Sequence, residues 1–187
     1  MKQLISIIEK LSNWKTLIIL IGVYGIFVLF VMPLMIETSR AAGGPLDLLF
    51  SYNQQTVLAH ISALRSEQRS TLAFQSLVYD TAYPLVYTAL FMVTIMMLVR
   101  ALAASLNKES QRSKLVWLAL IPLAAMGFDL CENIYIRSML ASFPELPQAV
   151  VARASLFTSL KWIAVGVNTV IIIALTIVLI GRKVRMR

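Results

Sequence analysis

Four apolar runs, each about 20 residues or longer, decide what this chain can become: Thr16 to Ile36, Tyr79 to Val99, Leu115 to about Ile136, and Leu156 to Ile180. At roughly 1.5 Å of rise per residue, a helix of about 20 residues crosses a hydrocarbon core about 30 Å thick. Stretches such as "LIILIGVYGIFVLFVMPL" and "VIIIALTIVLI" are apolar on every face, whereas the strands of a membrane barrel alternate and are cut by polar turns. With 59% hydrophobic and only 14% charged residues, the chain lies outside ordinary soluble usage. The expected fold is all-α: one domain over residues 1–187, an integral membrane bundle of four transmembrane helices with an amphipathic helix in the outer connection.

The basic residues set the expected orientation. Lys2, Lys10 and Lys15 precede the first run; Arg100, Lys108, Arg112 and Lys114 lie between the second and third; Arg182, Lys183, Arg185 and Arg187 follow the fourth. Short cytoplasmic connections carry an excess of Lys and Arg. Both termini are therefore expected on the cytoplasmic side of a bacterial inner (plasma) membrane. The formal charge of +8 follows from this asymmetry and suits anionic headgroups. Nucleic acid is not an expected partner, because the cations flank the runs instead of forming a patch interleaved with aromatics. The first run exceeds the 7 to 15 apolar residues usual in a secretory signal, and is read as an uncleaved helix.

Ahead of it, "LISIIEKLSNW" places Leu4, Ile7, Ile8 and Leu11 on one stripe, predicting a helix along the inner surface anchored by Trp14. The first connection, "GGPLDLLFSYNQQTVLAHISALRSEQRS", opens on breakers. It then offers Ser51 and Gln54 in capping-box spacing and Val57, Leu58, Ile61 and Leu64 at helical period. An amphipathic helix over the outer end of the bundle, interfacial or lid-like, is expected. Pro33, Pro84 and Pro122 each remove a backbone donor and leave a carbonyl free for a polar partner. Gly22, Gly25 and Gly166 are expected to permit close helix approach.

The segment "FDLCENIYIR" sets Asp129, Glu132, Asn133 and Arg137 along one broad helical face, about 21 Å or more from the start of its run. "YDTAYPLVY" opens the second run with Asp80, Tyr83 and Tyr87. "SLFTSLKW" brings Ser159, Lys161 and Trp162 into the first turns of the fourth, and the first run exits through Glu37. In an antiparallel bundle these groups converge at one depth, in the outer half. Each Asp, Lys or Arg facing lipid at mid-bilayer costs about 2.5 to 3.5 kcal/mol, so they are expected to face inward and pair. Lys161 is matched with Asp129 or Glu132, and Arg137 with Glu132 or Asp80. That leaves one surplus acid, and either Glu132 or Asp129 is expected to keep a proton.

What is missing narrows the chemistry. His60 is the only histidine and Cys131 the only cysteine, so zinc, di-iron and disulfide chemistry are not expected. No phosphate loop, nucleophile elbow or CxxC pair occurs. Asp80, Asp129 and Glu132 are a conceivable oxygen site for Mg²⁺ or Ca²⁺, but Lys161 opposes it. No metal and no cofactor is expected. The leading reading is a polar, carboxylate-rich site for a membrane lipid or another lipophilic, amphipathic molecule. Asp80, Tyr83, Tyr87, Asp129, Glu132, Asn133, Arg137, Lys161 and Trp162 form it, with Lys161 and Arg137 meeting an anionic or polar headgroup. A membrane-embedded enzyme, a structural subunit with polar interhelical glue, and a proton-coupled carrier are the alternatives.

Taken in order, "GGPLDLLFSY", "YDTAYPLVY", "FDLCEN" and "ASLFTSLKW" resemble the pattern of a widespread, uncharacterised family of small four-helix bacterial membrane proteins. The resemblance implies that Asp80, Tyr83, Asp129, Glu132, Asn133 and Lys161 belong to one site. The architecture is also similar to the emopamil-binding and sigma-2-receptor group, whose members bind or isomerise sterol-like molecules in a membrane cavity. In that group the paired acids are placed differently.

Overall fold

The computed structural model describes residues 2–106 and 114–185, and all of the regular structure among them is helical. Four of these helices are long and apolar enough to cross a membrane: α2 (Trp14–Thr38), α4 (Ser66–Leu106), Val116–Ser142, which contains α5 (Pro122–Ser142), and α6 (Gln148–Arg185). Two shorter helices, α1 (Lys2–Leu11) and α3 (Gln54–Ser62), lie at opposite ends of the bundle. Lys108, Arg112 and Arg187, used in the orientation argument, lie outside the described residues, as does the side chain of Arg185.

At the end where the termini lie, α1 buries Ile5 and Ile8 among Met92, Ile95, Met96 and Val99 of α4, Ala119 and Leu175. Arg100 ties it down, donating to the carbonyl of Ser12 at 3.0 Å. Only part of the expected stripe is buried, since Leu4, Ile7, Leu11 and Trp14 remain exposed. At the opposite end, Val57 and Ile61 of α3 are fully buried with Leu46, Tyr52, Met139, Val151 and Ala154. The α3 cap is Asn53, which accepts from the Thr56 amide at 2.8 Å, and not the expected Ser51.

Two helices start earlier than hydropathy predicts. Ser66 to Val78 is too polar to count as a span, yet α4 begins at Ser66 because its polar groups find partners at the helix ends. Gln68 accepts from the Arg65 amide and donates to the Thr38 carbonyl, Gln75 donates to the Thr38 hydroxyl, and Arg69 donates to the Leu64 carbonyl. Helix α6 begins at Gln148, directly after Pro147, so Ser159, Lys161 and Trp162 lie several turns inside it and not in its first turns.

The prolines reshape their helices. Upstream of Pro33 the backbone of α2 widens into a π turn over Phe27–Val31, with the Met32 amide reaching back to Phe27. Ahead of Pro122, the chain leading into α5 tightens into a 3-10 turn over Val116–Leu120. The glycine expectation fails: a Cβ added at Gly22, Gly25 or Gly166 would meet nothing within 4 Å, so no helix approaches there. Gly43 and Gly44, at φ of +88° and +103°, do need their freedom, because they turn the chain out of α2.

His60 on α3 lies outside the long helices, half-buried, with Nδ1 3.1 Å from the Ala42 carbonyl. Burial lowers its pKa from the ordinary 6.5, opposed by the Ala42 contact and by Asp47. A lowered native value makes its contribution to stability complete above about pH 6.5 and lost as the pH falls through the native value. Melting of the detergent-solubilised protein should therefore shift downward between pH 7.5 and 5.5, and His60→Gln should flatten that slope; an unchanged slope removes His60 as its source.

Candidate functional site

Four sequence stretches, far apart in the chain, meet here in two pairs. The first pair joins the turn after α2 to helix α6 across 103 to 115 residues of sequence. The Asp47 carbonyl accepts from Lys161 Nζ at 3.2 Å and from Trp162 Nε1 at 3.1 Å. Ser159 donates to the Phe50 carbonyl at 2.8 Å, and the Tyr52 amide donates to Ser155 Oγ at 2.9 Å. Ser159 thus straps the turn to α6.

The second pair joins α4 to α5, and Pro84 explains it. In a regular helix the amide of residue 84 would bond the carbonyl of Asp80, and proline has no amide proton. Asn133 supplies the missing donor, its Nδ2 lying 2.6 Å from the Asp80 carbonyl and 3.3 Å from Asp129 Oδ1. Asp129 Oδ2 accepts from the Tyr87 hydroxyl at 3.0 Å.

Between the pairs lies the ion pair of Lys161 Nζ with Glu132 Oε2, at 2.6 Å. Asp47 Oδ2 stands 3.8 Å from the same ammonium. The second oxygen of Glu132 accepts from the Thr158 hydroxyl at 2.6 Å. Exposure of Lys161 is 5% and of Glu132 0%, so the pair is fully desolvated. Removing one partner of such a pair costs about 3–5 kcal/mol, because the other charge is stranded.

Beside this network opens a cavity of about 360 Å³, at the small end of the 300–1,000 Å³ usual for ligand pockets. Its polar part is Asp47, Asp80, Asp129 and Lys161. One wall is an aromatic ladder on α4, Tyr79, Tyr83, Tyr87 and Phe91, with Tyr24 stacked on Tyr83 and Trp162 on the α6 side. The other wall is α2 at and after its π turn, from Phe27 through Val31 and Met32 to Ile36. Helix α2 packs weakly, with no buried residue in its most apolar stretch.

Of the residues picked out in the sequence, Asp80, Tyr83, Tyr87, Asp129, Lys161 and Trp162 line the cavity. Glu132 and Asn133 stand behind that lining, bracing Lys161 and Asp80. Arg137 does not join them: it makes no ion pair with Glu132 or Asp80 and donates instead to the Ser76 carbonyl at 3.2 Å. Glu37 is absent too, pairing with Arg40 at 2.9 Å on the surface. Among the described residues no three His, Cys, Asp or Glu side chains converge closely enough to hold a metal ion.

Sequence reading missed Asp47, Tyr24, Tyr79, Phe91 and Thr158. The recurrence of aromatic residues every fourth position from Tyr79 to Phe91 was an available signal, since that spacing keeps one face of a helix. Asp47 had no comparable signal, because only folding of the turn onto α6 brings it to Lys161.

Compared with family models, curated proteins and solved structures, the chain finds no match in any of the three.

The proline and asparagine roles are separable. Asn133→Leu should orphan the Asp80 carbonyl and cost about 1–3 kcal/mol. Pro84→Ala restores the intrahelical donor, so the double variant should lose less stability than the sum of the two single changes. Strict additivity of the three unfolding free energies would refute the compensation.

Proposed function

We propose that this chain is an integral membrane protein that crosses the bilayer four times and binds a lipid-like or amphipathic molecule in the cavity beside Lys161. Both termini face the cytoplasm, in a bacterial inner membrane, and α3 caps the outer end. In support of insertion, large apolar side chains such as Ile18, Ile19, Leu29 and Phe30 stand exposed on α2, and Val170, Ile173 and Ile177 on α6. Water would penalise such surfaces, whereas lipid is neutral to them. Lys10, Lys15, Arg100, Lys114, Arg182 and Lys183 lie toward the terminal end, the distribution of a cytoplasmic face.

The observation that carries the binding reading is the asymmetry of the cavity. A polar end built from buried, braced side chains meets a long apolar wall on the one helix that packs weakly. A molecule with a polar head and a hydrocarbon body matches both ends, and it would enter from the bilayer beside α2. The widened π turn gives that wall a backbone able to shift without breaking a regular helix. A purely structural bundle has no use for such a space. A carrier needs a polar path to the opposite face, where the described side chains form an apolar layer of Met92, Ile95, Met96, Val99 and Ala119.

Val31→Trp places an indole in the cavity from the α2 side, away from every ion pair. Native mass spectrometry of protein extracted in mild detergent should show a bound amphiphile on the wild type that this variant loses, with unchanged melting. Equal retention on both would sink the binding reading. A C-terminal reporter that is active only in the cytoplasm should be active; an inactive one would overturn the orientation.

A further inference from the structure

We infer that the polar end of the occupant is an ammonium group, so that the cavity takes a cationic amphiphile with Asp80 as its counter-ion. The inference rests on the binding reading above and adds the chemical class. Its first ground is the charge lining the space. Asp47, Asp80 and Asp129 face the cavity with Lys161 as the one cation among the described lining residues. That ammonium is engaged by Glu132 at 2.6 Å and by Asp47, through its carbonyl at 3.2 Å and its carboxylate at 3.8 Å. Arg137, the other cation the helices bring to this end, bonds the Ser76 carbonyl instead. Asp80 therefore has no Lys or Arg within ion-pair distance among the described residues, and Asp129 is held only by the neutral donors Tyr87 and Asn133.

The second ground is hydrogen-bonding capacity. Asn133, 1% exposed and behind the lining, uses its Nδ2 on the Asp80 carbonyl and on Asp129 Oδ1, so it presents no donor to the cavity. Lys161 and Trp162 donate to the Asp47 carbonyl, and Tyr87 to Asp129. What is left over at the polar end is acceptor capacity, so a matching headgroup must bring donors. An anionic headgroup brings acceptors and like charge.

The third ground is the wall. Tyr24, Tyr83, Tyr87 and Phe91 line the cavity together with Trp162, whose ring the Lys161 ammonium already faces at 5.4 Å, and aromatic faces attract a cation and repel an anion. An alkyl chain leaving that headgroup would run along Val31 and Met35 on the α2 side.

The test uses full-length protein in phosphatidylcholine nanodiscs and four probes of equal chain length: dodecylamine, dodecyltrimethylammonium, dodecanol and dodecanoate. Trp162 fluorescence reports binding in a Trp14→Phe, Trp117→Phe background, since these are the other two tryptophans. Dodecylamine should bind at least tenfold tighter than dodecanol and tighter still than dodecanoate. The trimethyl cation should fall between amine and alcohol, because it has charge without N–H donors. Asp80→Asn should erase most of the amine preference, weakening dodecylamine far more than dodecanol. Asp47→Asn, on the turn outside the helices, should reduce the preference partially and serves if Asp80→Asn does not fold. If amine and alcohol bind alike, the carboxyls hold their own protons and the ammonium assignment is wrong, although the binding reading survives. Tighter binding of dodecanoate has the same consequence. If no probe binds, both fail together.

Discussion

A lysine ammonium held 2.6 Å from a carboxylate, with both groups sealed from solvent, is the contact on which the rest of this end of the molecule depends. Desolvating two charges is expensive, and the attraction between them repays it only when geometry is good and the remaining lone pairs are filled. Thr158 fills the second oxygen of Glu132, and the Asp47 carbonyl takes another proton of Lys161. Through Asp47 the same ammonium pins the turn that closes one side of the cavity. A single buried charge pair thus fixes α5, α6 and the turn after α2 relative to one another, a role in specificity more than in net stability.

Proline supplies the second organising constraint. By denying the Asp80 carbonyl its helical partner, Pro84 makes that oxygen available to Asn133, and the register of α4 against α5 follows from that bond. Pro33 acts differently. Its helix answers with a π turn, and the widened backbone faces the cavity. The rigid parts of the site are therefore on α4, α5 and α6, and the adaptable wall is on α2. That division suits a pocket whose polar end must be accurate and whose apolar side need only be accommodating.

Much of the fold was legible because hydrophobic length is a local property. Four runs of spanning length could be read from the chain, though two helices began 13 and eight residues earlier than their apolar cores. At the start of α4 the polar residues Gln68 and Gln75 found partners on Thr38 of α2, and Arg69 on the Leu64 carbonyl just ahead of the helix. The site was legible in part. Asp80, Asp129 and Lys161 announced themselves as charges in apolar surroundings, which lipid does not tolerate. Arg137 carried the same signal and went elsewhere, since a long guanidinium reaches a nearby carbonyl as easily as a distant acid.

By itself, the sequence determined that the chain is helical, that its long helices number four, and that several ionisable groups must leave the apolar surface for the interior. Those follow from composition within a few turns of chain, where hydrogen-bond satisfaction and hydrophobicity act locally. Only the tertiary structure decided which charges meet, that Asp47 joins the polar end while Arg137 and Glu37 bond elsewhere, and that space remains beside it. Those outcomes depend on helix rotation and on the path of a turn between helices, where a shift of one residue, about 100° on a helix, exchanges an inward side chain for an outward one.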